Sequence, residues 1–141
     1  MRLFIWFFIF CPIMVFGQKW QSYTNTQKVN VAKQVSAQIY ANIEQRIPEY
    51  RRPFIQRFGW LAVYDYNEYG VLASVKIAQG GLECGWGLIV DRGLQGNNYF
   101  SIKCREKKHN QGNCFVLNDS GEPAHFVKYS TAFDSFRGHT M

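Results

Sequence analysis

The feature that most constrains this chain is a long apolar stripe closed by proline. Val31, Val35, Ile39, Ile43 and Ile47 recur every four residues. The run is far longer than strands usually are, and the spacing predicts a helix from Thr24 to Ile47. Asn25 or Thr26 is placed to cap its start. Pro48 ends it, because proline brings no N–H and its ring clashes with the preceding turn. Pro53 suits the first turn of a second helix, where no N–H is needed. Phe54, Phe58 and Leu61 give that helix an apolar side. A third helix is expected from Val71 to Cys84. Val71, Val75, Ala78 and Leu82 share one face of it, and Gly85 is placed to stop it.

Beyond Gly85 the pattern changes. Gly87, Gly93 and Gly96 predict a loop, and Tyr99 to Cys104 a short extended segment. Cys114–Leu117 and His125–Tyr129 read as two strands around the turn residues Asn118-Asp119-Ser120-Gly121. Ser130 is placed to cap a last helix that reaches the final residue, Met141. The sum is an α+β fold, mainly helical with one small hairpin. With 141 residues, 47% of them apolar, the chain can bury the core of one domain.

Residues 1–17 stand apart. Met1 and Arg2 are followed by an almost wholly apolar run, Leu3 to Phe16, and then by Gly17. This is the order of a secretory leader, and the run is shorter than the ~20 residues that span a bilayer. The expectation is cleavage after Gly17, export to the periplasm or beyond, and no membrane span afterwards. Export permits disulfides. Cys84, Cys104 and Cys114 remain after cleavage. Cys104 and Cys114 enclose nine residues and are able to staple a loop, while His109 between them leaves a zinc site as the rival. The formal charge is +6, with basic clusters at Arg51, Arg52 and Arg57 and at Lys103, Arg105, Lys107 and Lys108. Nucleic acid is a poor partner for an exported protein. A solvated basic face and attraction to anionic surface polymers both fit.

One carboxylate carries chemistry. Glu83 falls in the last turn of the third helix, beside the apolar stripe. There it meets the negative end of the helix dipole, and Trp86 three residues on offers an apolar wall. Both disfavour the ionised form. A carboxyl group kept protonated near neutral pH is what a glycosidase uses to protonate a leaving oxygen. An ordinary surface glutamate at a helix end reads the same way. A cysteine-protease pairing of Cys84 with His125 needs a thiolate at a helix start, whereas Cys84 falls at a helix end.

Three blocks resemble the glucosaminidase family of peptidoglycan hydrolases, glycoside hydrolase family 73. They are Ala78-Gln79-Gly80-Gly81-Leu82-Glu83-Cys84-Gly85-Trp86-Gly87, then Asn97-Asn98-Tyr99-Phe100-Ser101-Ile102-Lys103, then Tyr129 through Arg137-Gly138-His139. They match the family's A-Q-x-x-L-E-S-G-W-G, N-N-x-F-G-I-K and Y-x-S-x-x-E-S-[FY]-R-D-H runs in order. The resemblance implies a lysozyme-like fold with a helical lobe and a small β lobe. It implies that Glu83 is the catalytic acid and that no metal or organic cofactor is required. The substrate implied is the peptidoglycan glycan strand, cut at N-acetylglucosamine. Gln79, Trp86, Asn98 and Phe100 are expected at the substrate, and Asp119 or Glu122 as a second carboxylate. A cysteine-bearing variant of the family, similar to Ile102-Lys103-Cys104 through His109 and Cys114, implies a Cys104–Cys114 disulfide.

The departures are as informative as the matches. Cys84 replaces a serine, Ser101 a glycine and Gly138 an aspartate, and Leu72 stands where many members have proline. The family pattern continues beyond the third block, so residues 54–141 read as a C-terminally incomplete glucosaminidase-like domain after a helical extension, 18–53. The expected function is that of an exported peptidoglycan hydrolase. The alternative is an inactive, glycan-binding remnant of the same fold.

Overall fold

The computed structural model describes residues 19–87, 96–104 and 113–141. The expected leader, Gly93, and Arg105, Lys107, Lys108 and His109 lie outside them. Four helices and a hairpin make up the fold. Helix α1 is Asn25–Ile43. Its cap is Thr24 rather than Asn25 or Thr26: the Thr24 hydroxyl accepts from Gln27 N–H, and the Gln27 side chain accepts from Thr24 N–H at 2.8 Å. This reciprocal pair satisfies two donors that a helix start otherwise leaves open. The helix also stops short of Ile47. A 3₁₀ turn, Glu44–Arg46, and a second, Glu49–Arg51, flank Pro48.

Helix α2 is Arg52–Tyr69, with Pro53 in its first turn and Gly70 at φ 77° closing it. It buries Phe54, Phe58 and Leu61 as expected, and also Ala62, Val63, Tyr64 and Asp65. Helix α3 is Ala73–Glu83. The last helix, α4, is Ala132–Thr140, capped by Thr131 rather than Ser130, through a reciprocal bond with Asp134. Strands β1, Cys114–Asp119, and β2, Glu122–Val127, pair antiparallel from Cys114↔Val127 to Asp119↔Glu122. The two-residue turn, Ser120-Gly121, has both φ values positive (59° and 99°), as a twist-matched tight hairpin requires. The segment expected to be extended, Tyr99–Cys104, is a turn followed by a single bridge. Lys103 pairs with Phe126, and Cys104 N–H donates to His125 O at 2.9 Å.

The core is aromatic. Phe54, Phe58, Leu61, Cys84, Tyr99, Phe100 and Phe136 form one buried cluster. Phe58 meets Tyr99 at 4.6 Å and Phe100 meets Phe136 edge-on at 4.9 Å. Each such ring contributes roughly 1.5–3 kcal/mol by leaving water. A second cluster, Trp20, Ala32, Val63 and Tyr64, seats α1 on α2. Trp20 Nε1 and Lys28 Nζ both donate to the Glu68 carboxylate at 2.8 Å. These bonds lower the Glu68 pKa against the opposing effect of burial.

Two apolar stripes are only partly buried. In α1, Ala32 is the buried apolar residue, while Ile39 and Ile43 are exposed. In α3 the stripe is split, with Val71 and Ala78 half-buried. Val75 and Leu82 are exposed at 46% and 69%, and the buried residues are Lys76, Gly80 and Gly81. Gly80 and Gly81 lack the Cβ that would hold neighbouring rings away. A Cβ on Gly81 would overlap the Trp86 ring, and one on Gly80 would press on Phe100 at 3.3 Å. The side that can approach the core most closely is therefore the glycine side.

Candidate active site

Glu83 is the last residue of α3 and is exposed. It shares the outward side of the helix with Val75, Gln79 and Leu82. Trp86 does not form the expected wall beside it. Gly85, Trp86 and Gly87 follow with φ values of 58°, 58° and 82°, a run of left-handed residues that reverses the chain. The Trp86 ring lies back over Gly81, edge-on to Phe54 at 5.8 Å and under the Arg51 guanidinium at 4.7 Å. A tryptophan at positive φ is uncommon, and here it is held by packing on both sides.

Behind α3 lies a buried polar network that sequence reasoning missed. Lys76 is completely buried. Its ammonium donates to Phe136 O at 2.7 Å and to Thr140 Oγ1 at 2.6 Å, and pairs with Asp65 Oδ2 at 3.1 Å. Thr140 Oγ1 in turn donates to Asp65 at 2.9 Å. Burial lowers the Lys76 pKa, and Asp65 opposes that shift. His139 Nδ1 lies 3.1 Å from the same ammonium. An ammonium has protons to give and nothing to accept with. A proton on Nδ1 would be repelled, so the arrangement assigns the imidazole proton to Nε2. The His139 ring stacks on Phe100 at 4.2 Å. Its pKa is lowered, first by burial and then by Lys76, while Asp65 and Glu83 act in the opposite sense. Glu83 is thus close enough to act electrostatically on a neutral, half-buried histidine. Lys76 reads as a surface residue in sequence because Asp65 and Thr140, its partners, are remote in the chain. His139 had a signal, its place in the third block.

The remaining residues fall into two groups. Asn98 is 1% exposed. Its amide donates to Ile102 O and Val127 O and accepts from Ile102 N–H. Phe100 is 5% exposed in the core. Both were expected at the substrate, and both are instead committed to packing, because they pin the 96–104 segment to β2 and α4. Gln79 is exposed beside Glu83 on α3. Asp119 and Glu122 are register partners beside the hairpin turn, so their side chains share one face of the ribbon. Asp119 Oδ2 accepts from Lys103 Nζ at 2.9 Å. A disulfide joins Cys104 to Cys114, which removes both sulfur ligands from the zinc alternative. Cys84 is free and 1% exposed, and burial pushes its thiol pKa up. His125 is exposed on β2, so the thiol-protease pairing has neither an activated nor an accessible sulfur. Ser101 stands at φ 51°, a backbone conformation that explains why the family pattern has glycine there.

A packed helical body, a small hairpin and a carboxylic acid exposed at a helix end define a lysozyme-like fold. The catalytic domain of the autolysin Auto from Listeria monocytogenes is similar in structure, with a TM-score of 0.54 and 26% identity. The similarity covers 67% of this chain and 56% of that one, so the chain spans a little over half of that solved domain. The family model of the glucosaminidases, described as mannosyl-glycoprotein endo-beta-N-acetylglucosaminidase, matches residues 59–141. The chain belongs to that family. A search of curated proteins finds no match. Among the described residues, no helix is long and apolar enough to cross a membrane.

Proposed function

We propose that this chain is an exported peptidoglycan hydrolase that cuts the glycan strand at N-acetylglucosamine, with Glu83 as general acid. The observation that carries the reading is the placement of Glu83: the glutamate of the family's first block ends α3 exposed, on a face where apolar side chains also meet solvent. Protonated Glu83 would give its proton to the glycosidic oxygen as the bond breaks. Val75 and Leu82 offer apolar surface to the sugar rings, and Gln79 an amide for a hydroxyl or acetamido group. Asp119 or Glu122, together at the hairpin tip, is our candidate for the second carboxylate, to activate water or offset the positive charge that develops on the ring.

Cleavage of purified peptidoglycan by Gln18–Met141, beside its Glu83→Gln variant, tests the reading. Products with N-acetylglucosamine reducing ends from the parent and none from the variant are expected. A folded parent that yields no products would overturn it. One observation favours a second reading, a glycan-binding form of the fold that does not cleave. Ser101 holds a left-handed conformation in the family's second block, which costs about 1–2 kcal/mol in a non-glycine residue. Binding to peptidoglycan without products would select that reading.

A further inference from the structure

The seam between α1 and α2 carries two cavities that the Glu83 face does not share. One, of about 540 Å³, is lined by Asn25 and Thr26 of α1, by Trp60 and Tyr64 of α2, and by Phe133 and Arg137 of α4. The other, of about 480 Å³, is lined by Lys33 and Tyr40 of α1 and by Gln56, Arg57 and Trp60 of α2. Trp60 lines both, so its indole stands between them, stacked on Phe133 and with Lys33 over the ring; the two cavities and this indole are called the groove below. From Asn25 to Tyr40 the helix rises about 22 Å, at ~1.5 Å per residue, which suits an extended chain better than a compact metabolite.

The chemistry of the groove is specific in sign. Glu68 also lines the first cavity, and Lys28 behind it neutralises its carboxylate at 2.8 Å. That leaves Arg137 at one end and Lys33 and Arg57 at the other as cations. Lys33 Nζ lies 5.2 Å from the centre of the Trp60 ring. Arg137 Nε is buried and is the one buried side-chain N or O atom among the described residues without a hydrogen-bond partner. An unpaired buried donor is costly, and an acceptor brought by a ligand would relieve it. Aromatic rings flanked by cations suit sugar rings that carry anionic groups. The α1 side of the groove lies outside the residues that match the family, 59–141.

We propose that this groove is a second glycan site, which anchors a carboxylate-bearing strand across Trp60 away from Glu83. The identity of the strand as peptidoglycan rests on the function proposed above. The test is co-sedimentation of the full chain, carrying Glu83→Gln to prevent turnover, with insoluble peptidoglycan and with chitin, which is an N-acetylglucosamine polymer without carboxylates. The double variant Lys33→Glu/Arg57→Glu changes exposed residues only. It is expected to weaken peptidoglycan binding by about tenfold or more, as reversal of steering charges does, and to leave the weaker chitin binding unchanged. Arg46→Glu/Lys128→Glu reverses two exposed cations outside the groove and is expected to bind as the parent does. Equal losses in the two double variants would reduce the effect to diffuse charge and overturn the proposal, as would parental binding by Lys33→Glu/Arg57→Glu or no binding by the parent. Trp60→Ala, checked for folding by circular dichroism, is expected to weaken binding to both polymers. Groove-dependent binding by a chain whose Glu83 form releases no products would leave this site standing and remove the hydrolase reading.

Discussion

Helices α2 and α3 follow one another across Gly70, yet they handle their apolar residues in opposite ways. Helix α2 turns Phe54, Phe58 and Leu61 inward, as the spacing of those residues predicts. Helix α3 turns Val75 and Leu82 outward and buries Lys76, Gly80 and Gly81 instead. The difference bears on the face proposed for substrate. The outward side of α3 also carries Gln79 and Glu83, so its apolar groups are available to a ligand. The inward side is built from glycine, where rings from Trp86 and Phe100 come close, and from a lysine that Asp65 neutralises. A stripe of apolar side chains marks one face of a helix. Whether that face meets the core or a substrate is decided by what the opposite face can pack against.

The largest blow to this comparison falls on the buried pair. Lys76→Met leaves Asp65 without its counter-ion in the core, held only by the Thr140 hydroxyl, and is expected to destabilise the protein by about 3–5 kcal/mol in urea denaturation. Pairing it with Asp65→Leu should recover most of that loss. No recovery would mean that Lys76 holds the fold through Phe136 O and Thr140 instead. Gly81→Ala comes next. The added methyl must displace the Trp86 ring, at a cost of about 1–3 kcal/mol, and tryptophan fluorescence should shift as the ring becomes more exposed. An unchanged melting temperature would show that glycine is not what turns this side of α3 inward.

Ser101→Gly is expected to stabilise the protein by about 1 kcal/mol by relieving the left-handed serine. A loss of stability would mean that the hydroxyl makes up for the strain. A smaller effect separates the network by pH. His139 has a lowered pKa in the fold, so between that value and the ordinary 6.5 the unfolded chain binds more protons. Stability should therefore fall as pH drops below about 6.5, and His139→Gln should remove that part of the slope from melting curves. Glu68, whose pKa is also lowered, acts separately, below its ordinary value of 4.5. Leu82→Ser should change stability least, within about 0.5 kcal/mol, since the side chain is already in water. Peptidoglycan turnover by the same variant should fall, and unaltered turnover would deny the outward stripe its role.

Much of the fold was legible one element at a time. Proline at 48 and 53, glycine at 85, and the Ser120-Gly121 turn mark breaks and turns through backbone geometry, which is a local property. The ends that moved were caps. Thr24 and Thr131 were displaced in the reading by neighbours able to do the same job, and only the Gln27 and Asp134 partners distinguish them. The helix-end position of Glu83 was legible because a carboxylate followed by Gly85-Trp86-Gly87 is itself a local pattern. Asn98 and Phe100 were misplaced because side chains expected at the substrate are spent on Ile102, Val127 and Phe136, contacts that depend on how the chain returns.

The sequence by itself determined the helices, the hairpin, the three blocks of family resemblance and the excess of positive charge. Each depends on neighbours within a few residues, or on a count. Tertiary structure alone decided which side of α3 faces inward, that Lys76 is a core residue, and where the His139 proton sits. It also opened the groove along α1 and α2 on both sides of Trp60. The physical reason is that burial, pairing and proton placement are properties of groups brought together from distant parts of the chain. Lys76, Asp65, His139 and Thr140 acquire their chemistry only when α2, α3 and α4 meet.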